Sequence, residues 1–245
     1  MILKNKNILV TGGGKGIGFS TILQIIKEGA FVYTIVKSKQ DIKKFKNTPN
    51  LKIFIGNVSN INLVNKIFKE SIKRKKLITG LVNNAGIRQR IKFEKITKRN
   101  VQEVFETNFF SVFYLMQIFT KYLTRMNLKG SIVNLGSIVG QTGFSELAGY
   151  ASTKSALVGL TKSFAAEMAK KKIRANIVSP GFTETSYFNK FKKKKKLYNW
   201  TISRIPMGRW GKPNEVANLI SFLLSDNAEY ITGENINIDG GWLSS

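Results

Sequence analysis

The chain has 245 residues, 42% of them hydrophobic, and carries 40 lysines and arginines against 14 aspartates and glutamates, a formal net charge of +26 at pH 7. It contains no cysteine and no histidine, which excludes disulfides, Cys/His zinc sites and every mechanism that uses a thiolate or an imidazole. Any chemistry must therefore use hydroxyl, amine, amide or carboxylate groups, and we expect no metal site.

The positive charge can indicate a surface for nucleic acid or for an anionic membrane. The lysines, however, are spread over nearly every predicted helix, and no nucleic-acid-binding motif accompanies them. A general bias of the composition towards lysine, asparagine and isoleucine accounts for the charge better. No window approaches about 18 uninterrupted apolar residues, and the first residues lack the pattern of a signal peptide. We therefore predict a cytoplasmic protein with no nucleic-acid or membrane partner.

Short apolar runs alternate with longer amphipathic stretches as far as about residue 180, which is typical of repeated βα units. Predicted strands, buried on both faces, lie at 7–11, 31–36, 51–55, 78–82, 131–135, 173–178 and 235–238. Predicted helices lie at 16–28, 60–74, 98–125, 149–171 and 213–224. Right-handed crossovers then predict an α/β fold, a doubly wound (Rossmann) sheet of about seven parallel strands with helices on both faces.

Nothing in the chain marks a boundary between independent units. Its four prolines are scattered, and it has neither a Ser/Gly-rich linker nor a repeat, so we predict a single domain over 1–245. The segment 183–210 interrupts the alternation with mixed aromatics, five lysines at 192–196 and Pro206. An insertion of this kind late in an α/β chain indicates a substrate lid.

A glycine-rich turn follows the first predicted strand and leads directly into the first helix, with the sequence TGGGKGIG at 11–18. Gly12, Gly16 and Gly18 allow a tight turn, a close approach of backbone amides to a pyrophosphate and close packing of helix on strand. Lys15 and Ile17 lie between them. The spacing predicts a dinucleotide site, and taken alone it is also compatible with an ordinary glycine-rich turn.

The end of the second strand reads IVKS at 35–38, without the carboxylate that NAD sites usually place there for the ribose hydroxyls. Lys37 and Lys15 can both face a 2'-phosphate, so NADPH/NADP is predicted rather than NAD. Small and amide residues follow the third and fourth strands, where they suit adenine and ribose contacts but also form ordinary turns. These further candidates for cofactor contacts are Asn57, Val58, Asn84, Ala85 and Gly86.

Tyr150 and Lys154 lie four residues apart on a predicted helix and so share one face. A free tyrosine has a pKa of ~10, and an adjacent ammonium would lower it towards neutral pH. Ser137, just past a strand end, can donate to a substrate oxygen. Asn108 lies inside the 98–125 helix, where a buried amide must find partners and can orient a water leading to Lys154. A Tyr/Lys pair alone is weak evidence for a catalytic site, because such pairs are common on helix surfaces.

Together these motifs resemble the short-chain dehydrogenase/reductase family over essentially the whole chain. The family's motifs appear in order as TGGGKGIG at 11–18, NNAG at 83–86, Asn108, Ser137, YASTK at 150–154 and PG at 180–181. The resemblance implies that a reduced nicotinamide supplies hydride to a carbonyl carbon.

The same resemblance implies a role for each matching residue. Tyr150 would protonate the oxygen, Ser137 would hold it, and Lys154 would tune Tyr150 and bind the ribose. Asn108 would complete a proton relay to solvent. Further cofactor contacts would come from Tyr150 itself and, at the nicotinamide end, from Pro180, Gly181 and Thr183.

Within the family, PGFTET from Pro180, RIPMGRWGKPNE from Arg204, YITGE from Tyr230 and DGG from Asp239 resemble 3-oxoacyl-[acyl-carrier-protein] reductases of fatty acid biosynthesis. Sugar, polyol and other hydroxy-compound dehydrogenases have similar tails, so they remain the alternative. Arg88, Arg90 and Gly149 depart from the family's commonest residues, and the two arginines can bind a carboxylate or phosphate of a sugar acid. A non-catalytic dinucleotide-binding protein is a third hypothesis, which the intact catalytic positions disfavour.

An acyl carrier protein is acidic, and Lys129, Lys171, Lys172 and the run at 192–196 can supply a complementary surface. A lysine run on a lid is more often simply solvated. The helices at 98–125 and 149–171 have more apolar and small residues than one sheet-facing stripe needs, which suggests pairing between subunits. The family resemblance implies a homotetramer.

Overall fold

Seven strands form one parallel sheet in the computed structural model, which describes residues 1–46, 48–186 and 188–244. The sheet order is β3-β2-β1-β4-β5-β6-β7, with all neighbours parallel. The strands are β1 Asn7–Thr11, β2 Phe31–Val36, β3 Leu51–Ile55, β4 Gly80–Asn83, β5 Gly130–Leu135, β6 Ile173–Pro180 and β7 Asn235–Ile238. The predicted doubly wound parallel sheet is confirmed.

Helices cover both faces of this sheet, as right-handed crossovers require. The helices are α1 Gly16–Lys27, α2 Lys39–Ile42, α3 Ile61–Lys73, α4 Lys98–Phe105, α5 Ser111–Arg125, α6 Ala148–Met168, α7 Phe188–Lys192, α8 Lys195–Arg204 and α9 Pro213–Leu224. One hydrophobic cluster packs α3, α5 and α6 on one face, and a second packs α1 and α9 on the other.

Three strands differ from the predicted bounds. β5 begins one residue earlier, at Gly130, and β4 ends one residue later, at Asn83. The two larger differences have local reasons. β4 begins at Gly80 rather than at 78, because the backbone N–H of Ile78 donates to the Tyr122 hydroxyl at 3.0 Å instead of joining the sheet. β6 runs on to Pro180 rather than ending at 178, because its last residues pair with β7 up to Ile238. β1 lies between β2 and β4, where the strand order reverses, and α/β sheets bind ligands at such a point.

The single helix predicted over 98–125 is interrupted by a π-helical turn. α4 begins at a capping box between Thr97 and Asn100, and α5 begins at Ser111. Between them Glu106–Phe110 form the wider turn, and the Asn108 side chain within it is fully buried. Such turns are rare and concentrate at functional sites.

The segment predicted as a lid, 183–210, contains α7 and α8 and lies over the carboxyl ends of the strands. Its Thr183 forms an isolated bridge with Gly211, and the Trp210 indole donates to the Thr201 hydroxyl at 2.8 Å. A separate cluster of Ile138, Phe191, Ile205, Trp210 and Trp242 packs it against the rest of the chain. Tyr187, within this segment, lies outside the described residues.

Among the helices of the described residues, none is both long enough and apolar enough to cross a membrane.

Candidate active site

The glycine-rich turn after β1 has the geometry that a bound pyrophosphate needs. Gly12 and Gly16 have φ of +68° and +55°, which side-chain-bearing residues rarely adopt. A Cβ on Gly12 would lie 2.8 Å from the Ala85 Cα, and one on Gly18 would clash with the Gly12 carbonyl oxygen. α1 begins at Gly16 with no side-chain cap and no acid in its first turn, so its N-terminal amides and positive dipole end face an anion site.

Asn84 and Ala85 fasten this turn to the end of β4. The Asn84 side chain donates to the Thr11 carbonyl at 2.9 Å and to the Gly12 carbonyl at 3.0 Å. The backbone amides of Asn84 and Ala85 both donate to the Thr11 hydroxyl at 3.0 Å. Thr11 was not among the predicted site residues, although its place at the head of the glycine motif is the signal for this role.

The end of the site formed by the glycine turn and α2 carries more charges than the sequence indicated. Lys15 and Lys37 are exposed beside the turn, as predicted. The Lys44 ammonium donates to the Gly14 carbonyl at 2.9 Å, a contact the sequence did not reveal. The carboxylate of Asp41 also reaches Gly14, accepts from the Ser38 hydroxyl at 3.1 Å and lies 3.9 Å from Lys44. Three cations against one carboxylate leave this end positive.

Asn57 and Val58 lie at the same edge of the sheet, after β3. The Asn57 side chain accepts from the backbone N–H of Ser59 at 3.1 Å, so it forms a local turn, and its residue is exposed. Val58 is buried in the core cluster. Of this pair, therefore, Asn57 presents the exposed polar side chain.

Ser137, Tyr150 and Lys154 come together at the carboxyl end of β5. Ser137 precedes a short 3-10 turn and accepts from the backbone N–H of Val139 at 3.2 Å. It also hydrogen-bonds Tyr150. Lys154 is only 6% exposed; its ammonium lies 5.8 Å from the Tyr150 ring centroid and donates to the Leu135 carbonyl at 2.5 Å.

Asn108 is placed next to this group by the π-helical turn. Its amide accepts from the backbone N–H of Ile87 at 2.8 Å and donates to the Ile87 carbonyl at 2.9 Å. A further bond goes to the Thr153 hydroxyl at 3.2 Å, and Thr153 in turn donates to the Tyr150 carbonyl at 2.7 Å. Asn108 thus connects the loop after β4 to the helix that carries Tyr150.

A cavity of about 310 Å³ opens beside these residues. Ser137, Tyr150 and Lys154 line it. Six other predicted site residues also line the cavity, namely Ile17, Asn84, Gly86, Pro180, Gly181 and Thr183. Nine predicted site residues do not line this cavity, namely Gly12, Lys15, Gly16, Gly18, Lys37, Asn57, Val58, Ala85 and Asn108. Ala85 follows β4 and Asn108 lies in the π-helical turn, while the other seven lie around the glycine turn and after β2 and β3.

Three comparisons with known proteins agree on one family. Residues 12–243 match the family model described as Enoyl-(Acyl carrier protein) reductase. The 3-oxoacyl-[acyl-carrier-protein] reductase FabG of Thermotoga maritima is 36% identical, over 98% of this chain and 99% of its own.

Solved structures match equally completely. A protein provisionally named 2-deoxy-D-gluconate 3-dehydrogenase from Agrobacterium tumefaciens, with bound NADP, is 28% identical with a TM-score of 0.91 over 99% of this chain and 98% of its own. A 4-hydroxyisoleucine dehydrogenase complexed with NADH is 30% identical, also with a TM-score of 0.91, over 98% and 99%.

The chain belongs to the short-chain dehydrogenase/reductase family. It is an oxidoreductase, as the resemblance of its motifs implied. The glycine turn after β1, Ser137 after β5 and the pair Tyr150 and Lys154 on α6 are the positions at which the resemblance placed the family's motifs.

The electrostatics around Tyr150 differ in one respect from the sequence-based expectation. Burial raises the pKa of Tyr150, whereas its hydrogen bond with Ser137 and the charge of Arg88 lower it. Burial prevails, so the phenol is held neutral, opposite to the predicted lowering by Lys154. The Lys154 ammonium points to the Leu135 carbonyl instead of the phenol oxygen, which explains why the expected effect is missing.

Burial also lowers the pKa of Lys154, to about 8. The desolvated ammonium thus loses its charge far more easily than an exposed lysine does. A neutral phenol beside a cation that titrates near the physiological range forms a proton-donating pair.

The lining of the cavity adds residues that the motifs do not name. An apolar wall comes from the lid segment and its neighbours, namely Phe144, Phe182, Phe191, Leu197, Trp200 and Trp210. Arg88 and Arg90 line the same cavity, as their position after the NNAG turn predicted. The lid aromatics could be recognised in the sequence as a cluster, but their inward direction depends on how α7 and α8 pack.

Proposed function

We propose that the chain is an NADPH-dependent reductase that converts a 3-oxoacyl thioester on acyl carrier protein to the 3-hydroxyacyl form. The observation that carries this is the cavity in which Ser137, Tyr150 and Lys154 meet at the nicotinamide end of the glycine turn. The 36% identity with a 3-oxoacyl-[acyl-carrier-protein] reductase over nearly the whole chain supports the substrate.

The chain's own groups would handle the proton and the developing charge. When bound, reduced NADP supplies the hydride for the carbonyl carbon. Tyr150, kept neutral by burial, donates its phenolic proton to the substrate oxygen, while Ser137 donates a hydrogen bond that holds it. The Lys154 ammonium would bind the ribose, and it would stabilise the phenolate that remains only after turning towards it from the Leu135 carbonyl.

Asn108 is proposed to act in the resupply of the proton. Its amide joins Ile87 and Thr153 and so connects the loop after β4 to α6, the helix that carries Lys154. A water held there would lead from solvent to the lysine, as the resemblance implies.

The cofactor would extend from this cavity along the strand ends. The α1 N-terminus would take the pyrophosphate, and the positive end around Lys15, Lys37 and Lys44 favours a 2'-phosphate over the ribose hydroxyls of NAD. Asp41 does not reverse this preference, because Lys44 lies beside it. The remaining contacts would come from Gly12, Gly16, Ile17, Gly18, Asn57, Val58, Asn84, Ala85, Gly86, Pro180, Gly181 and Thr183.

For the carrier protein, we favour the lysines at 192–196 over the other candidates. This run adjoins Phe191 and Leu197, which line the cavity. Lys129, Lys171 and Lys172 precede β5 and β6 and so lie at the opposite edge of the sheet. Lys129 is also within 3.6 Å of both Asp226 and Glu229.

The proposed enzyme is a single domain over 1–245. The segment 183–210 would be its lid, opening for the acyl chain. Phe110, Phe113 and Tyr114 are 40–45% exposed at and after the π-helical turn, a surface suited to pairing of subunits in a homotetramer. We expect the enzyme to work in the cytoplasm.

The proposal is tested by following NADPH absorbance with acetoacetyl thioesters, a crotonyl thioester and a panel of keto-sugars. We expect oxidation of NADPH with the acetoacetyl substrates. Tyr150→Phe should lower kcat/KM by about 10²- to 10⁴-fold, whereas Tyr230→Phe, on a fully exposed tyrosine, should not. Equal rates for Tyr150→Phe and the parent would refute the mechanism.

The second candidate is a dehydrogenase of a sugar, polyol or other small hydroxy compound. It is favoured by the names of two structural relatives, a 2-deoxy-D-gluconate 3-dehydrogenase and a 4-hydroxyisoleucine dehydrogenase. Activity confined to keto-sugars would replace the thioester proposal with this one. No NADPH oxidation with any substrate would favour a non-catalytic dinucleotide-binding protein.

A further inference from the structure

The catalytic cavity has an unbalanced charge. Among its described lining residues are three cations, Arg88, Arg90 and Lys154, and no aspartate or glutamate. The Lys154 ammonium donates to the Leu135 carbonyl, and Arg90 pairs at 3.3 Å with Glu146 just outside the lining. Arg88 lines the cavity together with Tyr150, and its positive charge lowers the pKa of the Tyr150 phenol.

The loop that carries Arg88 is held in place on both sides. Ile87, the residue before it, is bound through both its backbone groups by the buried Asn108 amide. Farther along, the backbone N–H of Ile91 donates to the Glu146 carbonyl at 2.9 Å. A guanidinium on such a fixed loop loses less freedom on binding a ligand than one on a mobile segment.

The phosphates of a dinucleotide do not account for this cation. We propose that these phosphates bind at the glycine turn and the N-terminus of α1, while Arg88 follows the NNAG turn and lines the same cavity as Tyr150. An arginine recognises a carboxylate by paired hydrogen bonds from its planar fork. Because Arg88 and Tyr150 line one cavity of about 310 Å³, a carboxylate on Arg88 and a carbonyl at Tyr150 can belong to one short molecule.

The size of the cavity is consistent with a small ligand. At about 310 Å³ it is at the lower end of small-molecule sites, and the nicotinamide ring must share it. Phe144, Trp200 and Trp210 add apolar surface to the lining of the same cavity. A short carbon chain with one charged end matches this distribution.

We propose that the site also reduces small free oxo-carboxylates, with Arg88 binding the carboxylate while Tyr150 protonates the oxo oxygen. This rests on the proposed function, because it uses the same reductant and proton donor. The carbonyl carbon gains a hydride from reduced NADP, which is oxidised. Its oxygen gains the Tyr150 proton, which solvent replaces, and the product is the corresponding hydroxy acid.

The test compares acetoacetate with its uncharged counterpart methyl acetoacetate and with an acetoacetyl thioester, using the full chain and NADPH. We expect the parent to prefer the acid over the ester by at least about tenfold in kcat/KM. Arg88→Gln should lower kcat/KM for the acid by about 10²-fold and that for the ester and thioester by much less. Arg125→Gln, the same change at the far end of α5, is the matched control.

An independent measurement avoids any effect of the variant on folding. Butyrate and butyramide have the same chain length, and we expect butyrate to inhibit the parent at concentrations at least about tenfold lower. Equal inhibition by the two, or equal turnover of acid and ester, overturns the proposal while thioester activity persists. If the parent has none of the three activities, the proposed function itself is refuted. The two failures are therefore distinguishable.

Discussion

The side-chain amide of Asn108 pairs with both backbone groups of Ile87, accepting at 2.8 Å and donating at 2.9 Å. Neighbouring strands of a sheet pair through the same two kinds of hydrogen bond. Here a side-chain amide takes the place of one of the two backbones. It places the loop after β4 at a defined distance from α6, because the same amide also bonds Thr153. The spacing between Arg88 and Tyr150 therefore depends on Asn108.

Asn108→Ala is expected to lower both activity and stability. It leaves the N–H and carbonyl of the half-buried Ile87 without their side-chain partner, which costs about 2 kcal/mol in the free energy of unfolding. We expect kcat to fall more than KM rises, together with faster amide exchange at Ile87. Asn65→Ala, at an exposed position of α3, is the control and should change stability by less than about 0.5 kcal/mol. Unchanged exchange at Ile87 would contradict the positioning role.

Lys154 should give the stability of the protein a recognisable pH dependence. Its pKa is about 8 in the folded chain and higher when unfolded, so the unfolded state binds the extra proton between these values and stability rises with pH. From about pH 7.5 to about pH 9.5, the unfolding free energy of the parent should rise by about 2 kcal/mol relative to Lys154→Met. Urea titrations at the two pH values measure this difference. Parallel pH profiles would show that the lysine is not desolvated.

Lys37→Glu should shift the cofactor preference towards NADH. The new carboxylate would repel a 2'-phosphate, so kcat/KM for NADPH should fall by at least about tenfold, while that for NADH should not. The salt dependence of NADPH binding should weaken as well. Lys27→Glu, at the other end of α1, makes the same charge change away from the turn. Equal effects of the two variants would mean that net charge, and not a phosphate site, governs the preference.

Two glycines offer a contrast between a functional and an unconstrained position. A Cβ at Gly18 would clash with the Gly12 carbonyl and the Asn84 amide, so Gly18→Ala should weaken NADPH binding, measured by fluorescence titration, and lower Tm. A Cβ at Gly159, within α6, meets nothing within 4 Å. Gly159→Ala should therefore raise stability by about 0.5–1 kcal/mol and leave NADPH affinity unchanged.

Much of this arrangement could be predicted from the sequence, because buried parallel strands are continuous apolar runs. Four strands have the predicted bounds, including β1 and β7. The motif residues Ser137, Tyr150 and Lys154 do line one cavity, as expected for groups at the carboxyl ends of adjacent strands.

Other features depend on distances that a linear pattern does not contain. Across the π-helical turn around Asn108 the apolar residues keep nearly helical spacing. The sequence pattern therefore predicts one continuous helix. Asp41 and Lys44 reach Gly14 only because α2 folds back over the turn. The direction of the Tyr150 pKa shift required knowing that the Lys154 ammonium turns to the Leu135 carbonyl and that burial outweighs the remaining charges.

The wide turn at Glu106–Phe110 has a consequence for the evolution and engineering of this chain. One residue more or less in a helix rotates everything that follows by about 100°. Deleting a single residue there would turn the inward face of α5, with Leu115 and Phe119, away from the sheet. Insertions and deletions are therefore tolerated far less at this turn than in an ordinary surface loop. A sequence alignment that places a gap here would assign the Asn108 amide to the wrong position.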